Sequence, residues 1–249
     1  TLWSREDDIK GGYYRPMHVH RAEIGFDAKG KVLAWDHVIV GQSIVEGTPF
    51  AGMMIKDGVD ATIVEGMREP YDVPMRLSVH HPKDNVPVLW WRSVGSTHTA
   101  FVMETLVDEI AARTKQDPVA YRLRHLPDAR AAELLRATAD QAGWKPHTAP
   151  QQQPADGDWL QGQGVAYARY VHSKFPGYGA AWAAWVADVQ VHKTTGEVHV
   201  SRVVVGHDAG LMVNPKGVEQ QVHGNVLQTT SRALKEQVRV DTATGTVTT

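Results

Sequence analysis

Two stretches of this chain alternate apolar and polar residues with a period of two, and each doubles back through a short turn. His18, His20, Ala22 and Ile24 alternate with Val19, Arg21 and Glu23, Asp27-Ala28-Lys29-Gly30 reverses the direction, and Val32 to Val40 returns. Trp185 to His192 likewise runs into Lys193-Thr194-Thr195-Gly196, and Val198 to Val205 comes back. A period of two puts successive side chains on opposite faces of a strand. A turn this short joins only strands that pair antiparallel, because a parallel pair needs a long crossover. Gly30 suits its turn because glycine reaches positive φ without strain. The pattern therefore argues against a doubly wound parallel sheet. A third unit begins at Val238-Arg239-Val240, turns at Asp241-Thr242-Ala243-Thr244-Gly245, and leaves Thr246 to Thr249 as its return. A return strand that short forfeits its ladder. Together with a start at Thr1-Leu2-Trp3, it gives the expectation of an internal piece of a longer protein.

Between the hairpins the periodicity becomes helical. Residues 97–114 place Val102, Leu106 and Ile110 on one stripe, widened by Phe101, with Glu104, Asp108 and Glu109 largely off it. Ser96 or Thr97 is the expected cap. Asp117-Pro118 starts a second helix with proline in its first turn, and Ala129 to Ala142 forms a third, ended by Gly143. Asn214-Pro215 opens a fourth, through Val218, Val222, Val226 and Leu227 to about Leu234. Residues 146–158 are polar and rich in proline and glutamine, and read as an exposed linker or insertion. The expected class is α+β: antiparallel hairpins with packed helices, in two α/β halves. The halves are residues 1–145 and 159–249, the second truncated at its C-terminal end.

Composition removes several kinds of chemistry. There is no cysteine, so the chain offers no disulfide scaffold, no cysteine-ligated iron–sulfur cluster and no thiol nucleophile. Lys and Arg number 26 against 28 Asp and Glu, without the basic excess of a protein that binds nucleic acid by field alone. No run approaches the ~20 apolar residues of a membrane-spanning helix. There is no G-x-S-x-G nucleophile elbow, and Gly162-Gln163-Gly164 does not complete a dinucleotide fingerprint. His18 and His20 share a strand face that suits a metal, but no third ligand stands at a matching spacing. His80-His81 points to opposite faces. His207-Asp208 is not read as a catalytic dyad, because neighbours on an extended chain face apart. Trp90-Trp91 and the pair Trp182 and Trp185 suit either aromatic stacking or packing.

Two loops are more informative. In the first, Trp90-Trp91-Arg92-Ser93-Val94-Gly95-Ser96 leads straight into a helix. An arginine, small residues and a helix N-terminus together suit an anion, and Gly95 would let the backbone approach a ligand. Arg92 capping neighbouring carbonyls is the competing reading. In the second, Asp208-Ala209-Gly210-Leu211-Met212-Val213-Asn214-Pro215 precedes a helix that carries Gln221 and Gly224. Gln221 suits an amide or a phosphate, or plain solvent.

Together these stretches resemble the large, molybdenum-binding subunit of the xanthine dehydrogenase and aldehyde oxidase superfamily, in the branch of the isoquinoline 1-oxidoreductase beta subunits. The likeness is carried in order by LWSREDDI from Leu2, Tyr14-Arg15-Pro16, Pro70-Tyr71-Asp72-Val73-Pro74, LWWRSVGSTHTAF from Leu89, Glu104, Asp108-Glu109, HDAGLMVNP from His207, and Gln221-x-x-Gly224. The resemblance implies a molybdenum-cofactor-binding domain and a pyranopterin cofactor as the cytosine dinucleotide. It implies an oxidoreductase that hydroxylates an aldehyde or N-heterocycle with oxygen from water. Arg92, Ser93, Val94, Gly95, Asn214, Gln221 and Gly224 are its cofactor contacts. Trp90, Trp91, Phe50 and Tyr178 are candidate walls of the substrate pocket. The metal is held by the pterin dithiolene rather than by protein. Electrons would leave through 2Fe-2S clusters on a small partner subunit, joined in some relatives by a cytochrome c subunit. Either the bacterial cytoplasm or the periplasm, at the inner membrane, is open.

Two family features lie outside this sequence. A glycine-rich GGGFGRR-like motif precedes the family's W-S-R-E segment, and the catalytic glutamate belongs to a G-x-G-E-like segment farther on. Glu219 and Glu236 stand in no such context, so no catalytic residue is assigned and these 249 residues alone are expected to be inactive. The competing expectation is a non-catalytic binding or scaffold module derived from the family.

Overall fold

The computed structural model describes residues 1–68, 70–151, 153–154, 157–171, 179–241, 243–244 and 246–248. Its elements are α1 (Arg5–Lys10), β1 (His18–Phe26), β2 (Val32–Gly41), α2 (Ala51–Met54), β3 (Ile55–Lys56), β4 (Val59–Asp60), a 3-10 turn (Ala61–Val64) and β5 (Met75–His80). There follow α3 (Ser96–Arg113), α4 (Pro118–His125), α5 (Ala129–Ala142), β6 (Gln153–Pro154), β7 (Trp159–Val171), β8 (Ala180–His192), β9 (Val198–Asp208) and α6 (Pro215–Leu234).

Both hairpins form. In β1 the even-numbered residues are half-buried and the odd-numbered ones exposed, as the alternation requires. The strand pairs antiparallel with β2 from His18 opposite Gly41 to Ile24 opposite Trp35. β7, β8 and β9 form an antiparallel meander, with β6 added at the β7 edge. Thus part of the polar 146–158 stretch is an edge strand. The purely antiparallel expectation fails at one place: β5 pairs parallel with β2, Trp35 opposite Met75 to Val40 opposite His80. The segment between them, carrying α2, β3, β4 and the 3-10 turn, is long enough to return the chain in the same direction. The third hairpin is reduced to a single bridge between Val240 and Val247.

The helices start and stop where their caps dictate. Asp117 accepts from the Ala120 N–H (2.8 Å) at the start of α4, and Asp128 from the Arg130 N–H (2.9 Å) at the start of α5. Gly143 closes α5 at φ 73°, a conformation costly for any residue with a Cβ. Helix α3 departs from the expected cap: Gly95 is its N-cap and no side chain caps it. Its buried face is also rotated from the expected stripe. Thr99, Met103, Glu104, Val107, Ile110 and Ala111 point inward, Glu104 is 5% exposed, and Phe101 is 72% exposed.

The rotation has an electrostatic cause. Arg122 on α4 is fully buried; its Nε donates to Glu104 Oε2 (2.8 Å), its Nη1 to Asp108 Oδ1 (2.5 Å) and its Nη2 to the Glu104 carbonyl (3.1 Å). Glu104 also accepts from the Tyr71 hydroxyl (2.6 Å) and from the Tyr167 N–H of β7 (2.7 Å). Burying a carboxylate is tolerable only with such partners. The guanidinium is held above its ordinary range: burial opposes this, but Glu104, Tyr71 and Asp108 outweigh it. Burial, then Glu104, raise the Tyr71 hydroxyl well above its usual value. Around this clasp lies one core. It joins Trp35 and Ile39 of the first sheet, Met103 and Ile110 of α3, Leu135 of α5, and Val165, Tyr167 and Val186 of the second sheet. Each fully buried aliphatic side chain there contributes about 1.5–3 kcal/mol. Among the described residues no helix is long and apolar enough to cross a membrane.

Candidate functional site: a cavity between two helix starts and a sheet

Helix α6 buries none of its residues. It stands off the second sheet, and the space between α6, α3 and strands β7 to β9 is a cavity of about 1070 Å3. Both loops singled out above open into it. Arg92 and Ser93 line it from the first, Asn214 and Gln221 from the second. Ala166, Ala168, Ala181 and Ala183 supply a small-residue floor, and Trp185 and Tyr170 on the same sheet face add aromatic surface, while Trp182 borders the cavity from the opposite face.

The arginine loop is fixed from behind. Arg15 donates from Nη1 to the Thr97 hydroxyl (2.6 Å) and from Nη2 to the Arg92 carbonyl (3.2 Å), and the Thr97 hydroxyl donates to that carbonyl as well (3.2 Å). Arg92 thus does not need its side chain to hold the loop. Ser93 and Val94 sit at φ 66° and 39°, a region that a β-branched residue enters only under strain. Burial, then the nearby Arg232, lower the Arg15 pKa to about 10. Arg232 on α6 lines the cavity with Arg92. Neither enters an ion pair among the described residues, while the cavity's carboxylates, Glu104 and Asp108, are held by Arg122. The cavity end near the N-terminus of α3 is therefore cationic and unneutralised. On the opposite wall Asn214 caps α6, accepting from the Gly217 N–H (3.0 Å), and Gln221 follows on the next turns.

Other residues singled out in the sequence lie elsewhere. Gly95 is buried against Thr62, and a Cβ there would run into the Thr62 carbonyl oxygen. Its smallness serves packing rather than ligand approach. Val94 and Gly224 do not line the cavity, and Gly224 faces open space. Trp90 and Trp91 are about half exposed outside it, with Phe50 edge-on to Trp90 at 5.7 Å. Tyr178 lies outside the described residues. Arg169 and Arg232 line the cavity without having stood out in the sequence, because a lone arginine in a strand or on a polar helix carries no motif. Asp208 receives two hydrogen bonds from Arg130 (2.5 and 2.6 Å), which hold its carboxyl at about 2, so it is a clamp rather than half of a dyad.

The His18-x-His20 pair joins a hydrogen-bonded chain. The Trp35 indole, which only donates, gives its proton to His37 Nδ1 (3.0 Å). Neutral His37 then carries its proton on Nε2 and donates to His20 Nδ1 (2.8 Å), and His20 Nε2 donates to His98 Nδ1 (2.8 Å). The chain ends at the His98 Nε2–H, which is buried without a partner and stacks on His18 at 3.6 Å. Burial, then the neighbouring imidazoles, lower His20 to about 4 and His98 to about 2, so the chain is neutral near pH 7. It ties the first turn of α3 to the β1–β2 hairpin, directly behind the arginine loop.

Comparison with known proteins gives a consistent result. Residues 1–126 and 103–249 each match a family model described as a molybdopterin cofactor-binding domain. A nicotinate dehydrogenase subunit from Pseudomonas putida is 49% identical over 227 residues, covering 88% of this chain and 19% of that protein. The beta subunit of isoquinoline 1-oxidoreductase from Brevundimonas diminuta is 31% identical, covering 96% of this chain and 29% of that protein. The chain thus spans between about a fifth and a third of these relatives' lengths. The crystal structure of quinoline 2-oxidoreductase from Pseudomonas putida superposes with a TM-score of 0.70, covering 100% of this chain and 54% of that one, at 13% identity. That likeness concerns the fold.

Proposed function

The chain belongs to the molybdopterin cofactor-binding domain family, and from that premise we propose that its α3–α6 cavity holds part of a molybdenum–molybdopterin cofactor in its cytosine dinucleotide form. The observation that carries this reading is the pair Arg92 and Arg232. Both line the cavity beside the α3 N-terminus, with no carboxylate partner among the described residues. A phosphate or an anionic pterin edge is the acceptor such a set suits. The residues fit the group by donor chemistry: guanidinium from Arg92 and Arg232, amide from Gln221 and Asn214, hydroxyl from Ser93.

When bound, the cofactor would supply the two-electron oxidation of an aldehyde or N-heterocyclic carbon, with water as the oxygen source. The chain's residues would bind, orient and exclude water. Arg15 and Thr97 hold the Arg92 carbonyl, which aims the loop. The alanine floor and Trp185 leave room for a flat ligand between α6 and the sheet. No residue here is assigned the proton transfer of the reaction; that role and the hydroxylase activity belong to the whole protein. Electrons would pass to 2Fe-2S clusters on a separate partner, a reading supported by relatives named as subunits.

The test is metal and nucleotide analysis of the full-length protein, wild type and Arg92→Met. Near-stoichiometric molybdenum with released cytidine nucleotide is expected in the wild type, falling severalfold in the variant while the fold is kept. Equal molybdenum in both proteins, or none in the wild type, would remove the reading.

A further inference from the structure

The far end of α3 is well removed from the cofactor cavity. The helix starts at the arginine loop, and its 18 residues span about 27 Å. Just past its other end Gln116 donates to the Lys29 carbonyl (2.7 Å), and the Tyr121 hydroxyl of α4 donates to the Gly30 carbonyl (2.7 Å). The β1–β2 turn is thereby pinned to the α3–α4 corner. Beside it opens a groove of about 920 Å3, between the start of β2, the segment before β5 and the C-terminal end of α4. Its bed is Val32, Leu33, Val73 and Pro74, and Leu33 is 59% exposed. Its rim is charged. Lys29, Lys31 and Arg124 enter no ion pair among the described residues, and Arg124 donates to the neutral amide of Gln116. The His125 Nε2 is buried there without a hydrogen-bond partner. Asp27 and Asp72 share the rim, and Asp27 Oδ1 is already taken by the Lys29 and Lys31 N–H groups (2.8 and 2.9 Å).

We propose that this groove docks an acidic, aliphatic-bearing segment of a separate partner subunit. An apolar bed inside a charged rim is the anatomy of a protein interface. A free phosphate would meet both carboxylates as well as the cations. A protein segment can instead set an aliphatic side chain on Leu33 and its acidic groups on the lysines. The proposal rests on the reading that this chain works with a partner, supported by relatives named as subunits, and not on where the cofactor lies.

The experiment measures the affinity of the full-length protein for the subunit that co-purifies with it, by biolayer interferometry at low and high salt. Wild type is compared with Lys29→Glu combined with Lys31→Glu, with Leu33→Ser, and with Lys216→Glu on α6 as a control. Molybdenum is measured in each. The double variant is expected to bind at least about tenfold more weakly, mainly through slower association, and to lose most of the salt dependence. Leu33→Ser is expected to weaken binding severalfold through faster dissociation, with the salt dependence kept. Lys216→Glu is expected to match wild type, and molybdenum to be equal in all four. Wild-type affinity in both groove variants overturns the docking surface and leaves the partner. An equal loss in Lys216→Glu marks a general charge effect and also overturns it. Inorganic phosphate or anionic-lipid vesicles bound by wild type and lost in the double variant, with partner affinity unchanged, assign the groove elsewhere and overturn it. If no subunit co-purifies with wild type, the partner reading and the docking surface fall together. Groove-dependent binding in protein that holds no molybdenum supports the docking surface and removes the cofactor reading instead.

Discussion

Two buried polar clusters flank α3, and they are finished differently. The Glu104–Arg122 clasp closes on itself: Tyr71, Asp108, the Tyr167 N–H and two carbonyls meet its charges from α3, α4, β7 and the segment before β5. The imidazole chain from Trp35 to His98 is neutral, has one direction, and ends on an N–H with no acceptor. The clasp holds the core where the two sheets meet. The chain lies at the end of α3 that carries the arginine loop. Polar burial is complete where the fold is anchored and incomplete where the ligand cavity begins, as expected if stability is traded for readiness at a site.

Breaking the clasp is the harshest test of that contrast. Arg122→Met strands Glu104 in the core, and urea denaturation is expected to show a loss of about 3–5 kcal/mol. Replacing Glu104 and Arg122 together by apolar residues is expected to cost clearly less, because no unpaired charge is left in the core and Asp108, the remaining partner, is partly exposed to water. Breaking the chain in the middle costs less than breaking the clasp. His20→Leu leaves the His37 Nε2–H and His98 Nδ1 without partners, an expected loss of roughly 1–3 kcal/mol by the same measurement.

Acid distinguishes the chain by sign. His18 and His20 are lowered from 6.5 to about 4, first of all by burial. The unfolded chain therefore takes up protons before the folded one does, so this stability is whole above pH 6.5 and is lost as pH falls toward 4. Urea midpoints measured across that window are expected to fall in the wild type and to fall less in His20→Leu. The smallest effect belongs to Asp128→Ala, which removes the α5 cap and the Trp182 anchor; about 1 kcal/mol is expected from the cap. Its larger consequence is a looser Trp182, readable as a shift in tryptophan fluorescence.

The hairpins, the helix starts at Asp117 and Asn214, and the glycine stop at Gly143 were legible in the sequence because each is decided within a few residues. The buried face of α3 was not. Its apolar spacing pointed to Phe101, but Glu104 lies inside because Arg122, eighteen positions away, pairs with it. The parallel pairing of β2 with β5 was hidden for the same reason, since a crossover leaves no local mark. In the site, Arg92 and Gln221 were readable from their motifs, whereas Arg232 was not, because its place beside Arg92 and Arg15 is decided by how α6 packs. Gly95 looks like a ligand contact in the sequence, although its need for a hydrogen at Cα comes from Thr62.

The central claim is that the cavity between α3, α6 and the second sheet is the cofactor's place. Crystals of the full-length, metal-loaded protein measured on both sides of the molybdenum absorption edge test it directly. The account predicts one anomalous peak, with cofactor density continuous from it into this cavity and in contact with Arg92 and Gln221. A molybdenum peak whose cofactor density avoids the cavity, or a metal-loaded crystal in which the cavity is filled by protein side chains, would contradict it.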